Sequence, residues 1–233
     1  EVHWHARGLW HMGGALLRYF KNSHPAGHAR ATQAYSRLIA HATHEHAALI
    51  EPAGAQDLIA REGFRFGFRT AQALDEAVQR AQHLESEFGV RHHAEDSAAL
   101  ARAEPALRKP LAGALHWLDP WSVNDPGALV QRYVDLLVAR GGRVLTGNAL
   151  TLQAAASGWS VLTQQGRIDA EQAVLALGPW AGDFLSGLGY RFPLFIKRGY
   201  HQHYQAPVSL RQPLLDAERG YVLAPMQRGL RLT

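Results

Sequence analysis

The run Ala173–Trp180, AVLALGPW, followed directly by AGDFLSGLGY (181–190), decides the reading of the fold. Five apolar residues lead into Gly178-Pro179. A helical spacing of Trp180, Phe184 and Leu185 then begins, as a buried strand feeding a helix through a tight glycine turn requires. Such turns hold nucleotides in open α/β sheets, but the phosphate loop that accompanies them, G-x-G-x-x-G after a strand, occurs nowhere in the 233 residues. The sequence therefore carries one half of a dinucleotide site.

Working outward, SVNDPGALVQRYVDLLVARGG (122–142) predicts a helix. Asn124 or Asp125 is the N-cap, Pro126 takes the first helical position, and Val130, Tyr133, Val134 and Leu137 form an apolar stripe that stops at Gly141-Gly142. RVLTG, ALTLQA, GWSVLTQ and RIDAEQAVLAL read as strands, with turns at Ser157-Gly158 and Gln165-Gly166. The order helix, strand, hairpin, strand, glycine turn is α/β.

Residues 1–110 have a different texture. Helices are expected near 7–21, 30–50, 70–88 and 96–103, with breaks at Pro25-Ala26-Gly27 and Pro52-Ala53-Gly54. The stripe Tyr35, Leu38, Ile39, Ala42, Leu49 and Ile50 marks the core side of the second helix. One strand interrupts the pattern. In GFRFGFRT (63–70), Phe64, Phe66 and Phe68 alternate with Arg65, Gly67 and Arg69, which predicts a half-buried strand with a packed aromatic face and a solvated arginine face.

Composition excludes several classes of function. At 47% apolar and 19% charged residues the chain is an ordinary globular one, and disorder is not expected. No apolar run reaches the roughly 18 residues of a membrane helix. The absence of cysteine removes thiol catalysis, thiolate metal sites and disulfides. The net charge of +4 is scattered, with no basic run or basic–aromatic repeat, which argues against nucleic acid. The fourteen histidines cluster at His3/His5/His11, in HATHEH (41–46), at His92-His93 and at His201/His203, and invite a metal hypothesis. HATHEH does not have the order of H-E-x-x-H, so it is read as a solvated helix face and no metal site is assigned.

The run from SVNDPGALVQRYVDLLVARGG through AVLALGPWAGDFLSGLGYRFPLFIKRGYHQHY to RGYVLAPMQRGLRLT resembles the flavin-dependent D-amino-acid dehydrogenase and oxidase family, especially bacterial D-amino-acid dehydrogenase small subunits. LLRYFKNSHP and YSRLIAHATHEHAALIEPAGAQDLIAREGF resemble the same subgroup, so the likeness covers essentially the whole chain. GPWA and RGYH are weak motifs singly, and specific in their order and spacing. The resemblance implies an α/β protein, an α+β substrate domain plus part of a Rossmann-like FAD-binding domain. Residues 1–116 and 190–233 belong to the substrate domain and 117–189 to the FAD domain. It also implies an internal portion of a longer flavoenzyme, because the family's glycine loop and C-terminal ring contacts do not appear.

The implied roles follow position by position. Gly178 and Pro179 approach the flavin through the backbone, Trp180 packs behind them or is simply core, and Ala149 matches a position, often Val, that meets the adenine. Tyr221 matches a tyrosine that reaches the amino-acid carboxylate, and Tyr200 and His201 are weaker substrate candidates. Arg231 does not match the family's carboxylate-pairing arginine. No side chain is singled out as a catalytic base, because the cofactor carries the chemistry. The implied reaction oxidises a D-amino acid, with FAD as cofactor, to a 2-oxo acid and ammonia, and electrons pass to a quinone or to oxygen. Location is expected to be cytoplasmic or peripheral at the inner membrane. A glycine or sarcosine oxidase, or a noncatalytic binding module that keeps only the substrate-domain fold, are the alternatives.

Overall fold

A computed structural model describes residues 6–192, 198–207 and 209–233, with side chains from Gly13 onward. His3, His5, the side chain of His11 and the segment 193–197 of the family-like run lie outside the described residues. The architecture is mixed α/β. In chain order the elements are α1 (Ala6–Asn22), α2 (Pro25–Ile39), α3 (Ala42–Ile50), β1 (Ile59–Ala60), β2 (Phe64–Phe68), α4 (Ala71–Phe88), β3 (His92–Asp96), α5 (Ser97–Ala103), β4 (Gly113–Trp117), β5 (Ser122–Val123) and α6 (Pro126–Ala139). The chain continues through β6 (Gly147–Ala155), β7 (Gly158–Thr163), β8 (Gly166–Ala170), α7 (Ala181–Gly187), β9 (Gln202–Tyr204), β10 (Leu214–Asp216), β11 (Tyr221–Met226) and β12 (Gly229–Leu232).

Two compact units divide the chain, 1–35 with 141–198 and 36–140 with 199–233. The second unit holds a seven-stranded mixed sheet of order β3-β4-β2-β10-β11-β12-β9, in which only β2 and β10 run parallel. Strand β2 lies between β4 and β10, and α4 covers one of its faces. Phe68 and Leu115 pack there with Ala77 and Ala81, flanked by Phe66, Leu74 and Val78. Thr70 caps α4 through the Ala73 N–H (3.3 Å), which fixes where strand ends and helix starts.

The other face of β2 is covered too, which corrects the solvated arginine face. Arg65 is only 7% exposed. Its Nε and Nη2 donate to Glu95 (2.8 and 3.1 Å), and Nη1 donates to Glu104 Oε1 (3.0 Å). Glu104, fully buried, also accepts the backbone N–H groups of Arg211 (2.8 Å) and Gln212 (3.0 Å). A buried cation with two carboxylates thereby ties β2, β3 and the end of α5 to the segment entering β10. Gly67 sits on this face because a Cβ would lie 2.7 Å from Leu111 Cδ1, inside the cluster of Leu100, Leu111, Ala114, Leu210 and Leu214.

Asp125, rather than Asn124, caps α6 through the Ala128 N–H (3.0 Å). The helix expected over 30–50 is two, broken between Ile39 and Ala42, and its stripe is mostly unpacked. Tyr35, Leu38 and Ile39 are exposed, and Ile50 alone of the stripe is fully buried. His46 of HATHEH hydrogen-bonds Tyr133 through Nδ1 (2.9 Å) rather than facing solvent freely, and burial raises the Tyr133 phenol above its ordinary value.

The first unit holds the antiparallel sheet β6-β7-β8, turned at the expected glycines. RVLTG and Ala173–Leu177, read as strands, are not strands. Apart from Gly147 they carry no ladder, Val144 and Val174 are 60% and 92% exposed, and RIDAEQAVLAL forms a strand only to Ala170. A strand exists through its neighbours' hydrogen bonds, and among the described residues these runs have no strand beside them beyond Gly147 and one bond from the Gln164 N–H to the Thr146 carbonyl (3.0 Å).

Candidate functional site

Tyr221 opens β11 opposite Asp216 of β10. Asp216 is 2% exposed and receives Nε and Nη2 of Arg69 at its Oδ2 (3.0 and 2.5 Å) and the Arg219 N–H at Oδ1 (3.1 Å). Burial raises its carboxyl pKa, but hydrogen bonds from Arg69, from the Arg219 backbone and from the Tyr221 hydroxyl outweigh this and hold it below the usual carboxylate range. The same Asp216 contact raises the Arg69 guanidinium. Glu218, in the turn, accepts the Arg69 N–H and the Thr70 hydroxyl (3.1 Å), pinning the turn before Tyr221 to the β2–α4 junction. The Tyr221 phenol is therefore half-buried and oriented by a charged pair.

Leu232 is the register partner of both Leu223 and Gln202, so His201 leaves the sheet at the end where Tyr221 enters it, two strands away. At about 4.8 Å per strand the separation is roughly 10 Å. Tyr200 is 82% exposed and outside any strand. The His201 ring packs edge-on against His203 (5.6 Å between centroids). The structure brings these candidates to one end of the sheet without making them touch.

The proposed cofactor contacts lie in the first unit. Gly178–Trp180 form a single 3-10 turn, and Gly178 has φ +54° with no atom within 4 Å of a Cβ placed there. Trp180 is 72% exposed. Ala149 is half-buried where the β6–β7 register shifts between Asn148 and Gln153. An open left-handed glycine turn fits backbone approach by a flat ring or a phosphate oxygen. A pyrophosphate needs more, a row of backbone donors opening a helix, and α7 at seven residues does not supply it.

Residues 1–233 match, as a whole, the family of FAD dependent oxidoreductases (DAO). The chain belongs to this FAD-dependent family. A relative is the D-amino-acid oxidase of Bradyrhizobium diazoefficiens, 25% identical over 188 residues, 80% of this chain and 44% of that protein. The fold is similar to that of glycine oxidase from Geobacillus kaustophilus (TM-score 0.63, 18% identity, 91% of this chain and 55% of that one). It is also similar to the L-amino acid deaminase of Proteus myxofaciens (TM-score 0.60, 19% identity, 80% and 43%). The chain thus spans about half the length of the family members it matches. Among the described residues no helix is long and apolar enough to cross a membrane.

Sequence reasoning named Tyr221 and missed its partners. The Arg69–Asp216 pair joins residues 147 positions apart, and the only available signal was the alternation that put Arg69 beyond Phe68 at the end of a strand.

Proposed function

We propose that a polypeptide carrying this chain oxidises an amino acid, of the D series, to the imino acid, which water converts to the 2-oxo acid and ammonia. The whole-chain match to the FAD-dependent family carries the reading. The name of the D-amino-acid oxidase relative favours the D series. FAD, when bound, supplies the two-electron acceptor. Gly178, Pro179, Trp180 and Ala149 are its candidate contacts from this chain, and 117–189 belongs with the cofactor domain. Tyr221 is the candidate contact for the substrate carboxylate, its one hydroxyl proton turning from Asp216 to the substrate, with Tyr200 and His201 near the same end of the sheet. Electrons leave to a quinone or to oxygen, in the cytoplasm or at the inner membrane surface.

The test is anaerobic bleaching of the flavin in a polypeptide of the relatives' length that carries this chain, mixed in turn with D-alanine, L-alanine, glycine and sarcosine. Fast bleaching by D-alanine supports the reading. Preference for glycine or sarcosine replaces it with a glycine-oxidase-like activity, and preference for L-alanine reverses the stereochemistry. In the same protein Tyr221→Phe is expected to weaken substrate binding by about 1.5–3 kcal/mol while flavin content is unchanged. Unaltered kinetics would make Tyr221 purely structural.

A further inference from the structure

A cavity of about 240 Å³ lies in the second unit between α3, the β1–β5 ribbon and α6. A protein cavity of about 150 Å³ already takes benzene, so there is room here for one substituted ring. Its floor is core, since Ile50 and Leu129 belong to one buried cluster. Ile59 and Val123, register partners across the ribbon, line it together with Trp121. The α3 side is a helical stripe in which Ala42, Thr43 and His46 lead down to Ile50.

The polar groups are few and sit at the mouth. Thr43 and His46 are exposed, whereas Ile50 and Leu129 are buried. The His46 ring is held in place. Its Nδ1 hydrogen-bonds the Tyr133 hydroxyl (2.9 Å), and the two rings stack with 5.9 Å between centroids and 24° between planes. Burial raises the Tyr133 phenol, so the hydroxyl keeps its proton, and a phenol gives a hydrogen bond better than it takes one. It donates to Nδ1, and the imidazole then carries its proton on Nε2. Among the described residues neither that Nε2–H nor the Thr43 hydroxyl has a partner. Trp121 is held as well, with the Arg61 guanidinium carbon 4.2 Å from its ring centroid. No Asp, Glu, Lys or Arg lines the cavity, so an ion entering it would leave water for walls with no counter-charge. The walls therefore select a flat, uncharged, ring-sized molecule with one oxygen at the mouth.

We propose that this cavity binds a single-ring phenol. The ring lies against Ile50, Leu129 and Trp121, and the hydroxyl oxygen accepts from His46 Nε2 while its proton goes to the Thr43 hydroxyl. A partner helix would need a groove for anchors on successive turns, and one ring-sized hollow does not provide it. The inference rests on the cavity alone and not on the flavin reading.

The test is titration of this chain with phenol, toluene and benzenesulfonate, followed by NMR at the Trp121 indole N–H, which Trp121→Phe assigns. These probes separate ring with hydroxyl, ring alone and charged ring. Phenol and toluene should shift the signal saturably, and benzenesulfonate should bind about tenfold more weakly than phenol or worse. His46→Phe keeps a stacking ring and removes Nε2. It should weaken phenol about fivefold, the worth of one neutral hydrogen bond, and leave toluene unchanged. Ala42→Trp, in the exposed first turn of α3, fills the cavity and should abolish binding of both. The proposal is overturned by no saturable shift with phenol, by benzenesulfonate binding as tightly as phenol, or by His46→Phe changing phenol and toluene alike. It is also overturned if Ala42→Trp, shown folded by circular dichroism, binds phenol like the parent chain. Binding that disappears in a polypeptide of the relatives' length overturns it too, because a side chain of the longer protein then fills the cavity. The bleaching experiment is read at the flavin and is unaffected by either result.

Discussion

Phe64–Phe68 and Ala173–Leu177 are both five-residue runs that read as strands, and the structure treats them oppositely. The first has Cα partners on both sides, β4 and β10, and both its faces are covered. The second has no ladder and leaves Val174 92% exposed. Apolar content does not account for this, since three of five side chains are apolar in the first run and all five in the second. What differs is company: a strand is fixed by the neighbours that take its N–H and C=O groups, and hydrophobicity only makes it worth burying.

The sharpest way to break this contrast is to remove the charge at the centre of the covered strand. Arg65→Met leaves Glu95 and Glu104 buried without their cation, and the second unit should lose about 3–5 kcal/mol in urea unfolding or fail to fold. A loss under 1 kcal/mol would mean that the triad contributes little.

A paired experiment follows, with truncation to alanine beside the first run and within the second. Leu115→Ala, beside β2 and 1% exposed, should cost about 2–5 kcal/mol, while Val174→Ala should stay within about 0.5 kcal/mol. Equal costs at the two sites would erase the distinction. Gly67→Ala sharpens it further. The new methyl group meets Leu111, and the unfolding midpoint should fall by an amount equivalent to about 1–3 kcal/mol, as overpacking does.

The smallest effect concerns acid. Asp216 has a folded pKa below its unfolded value, so the stability it adds is complete above about pH 4, the ordinary aspartate value, and is lost as pH falls through the folded value. Urea midpoints from pH 6 down to pH 2 should decline, and Asp216→Asn should flatten the part of that decline below about pH 4. An identical slope in the variant would assign the acid limb to other carboxylates.

Legibility followed the same line. β2, α4, α5, α6 and the β6–β8 hairpins were readable because their signals are local: alternation, a cap at Asn124 or Asp125, proline at a first turn, glycine turns. The buried face of Arg65 was not, because its acceptors lie 30 and 39 residues away and an alternating arginine looks the same whether water or a carboxylate awaits it. The runs at 143–147 and 173–177 were misread because an apolar stretch before a glycine signals a strand only if another strand stands beside it. Tyr221 was named by resemblance, while Arg69 and Asp216, which orient it, emerge only from the pairing of β2 with β10.

The central proposal is that this chain supplies substrate contacts to an FAD-dependent enzyme, whereas the glycine turn at Gly178, with no atom within 4 Å of a Cβ placed there, offers too few contacts to hold FAD. A visible absorbance spectrum of the purified chain after incubation with FAD and gel filtration tests it directly. The expected result is a colourless protein with no retained flavin and no response to D-alanine. Stoichiometric bound flavin that bleaches when D-alanine is added would contradict the account.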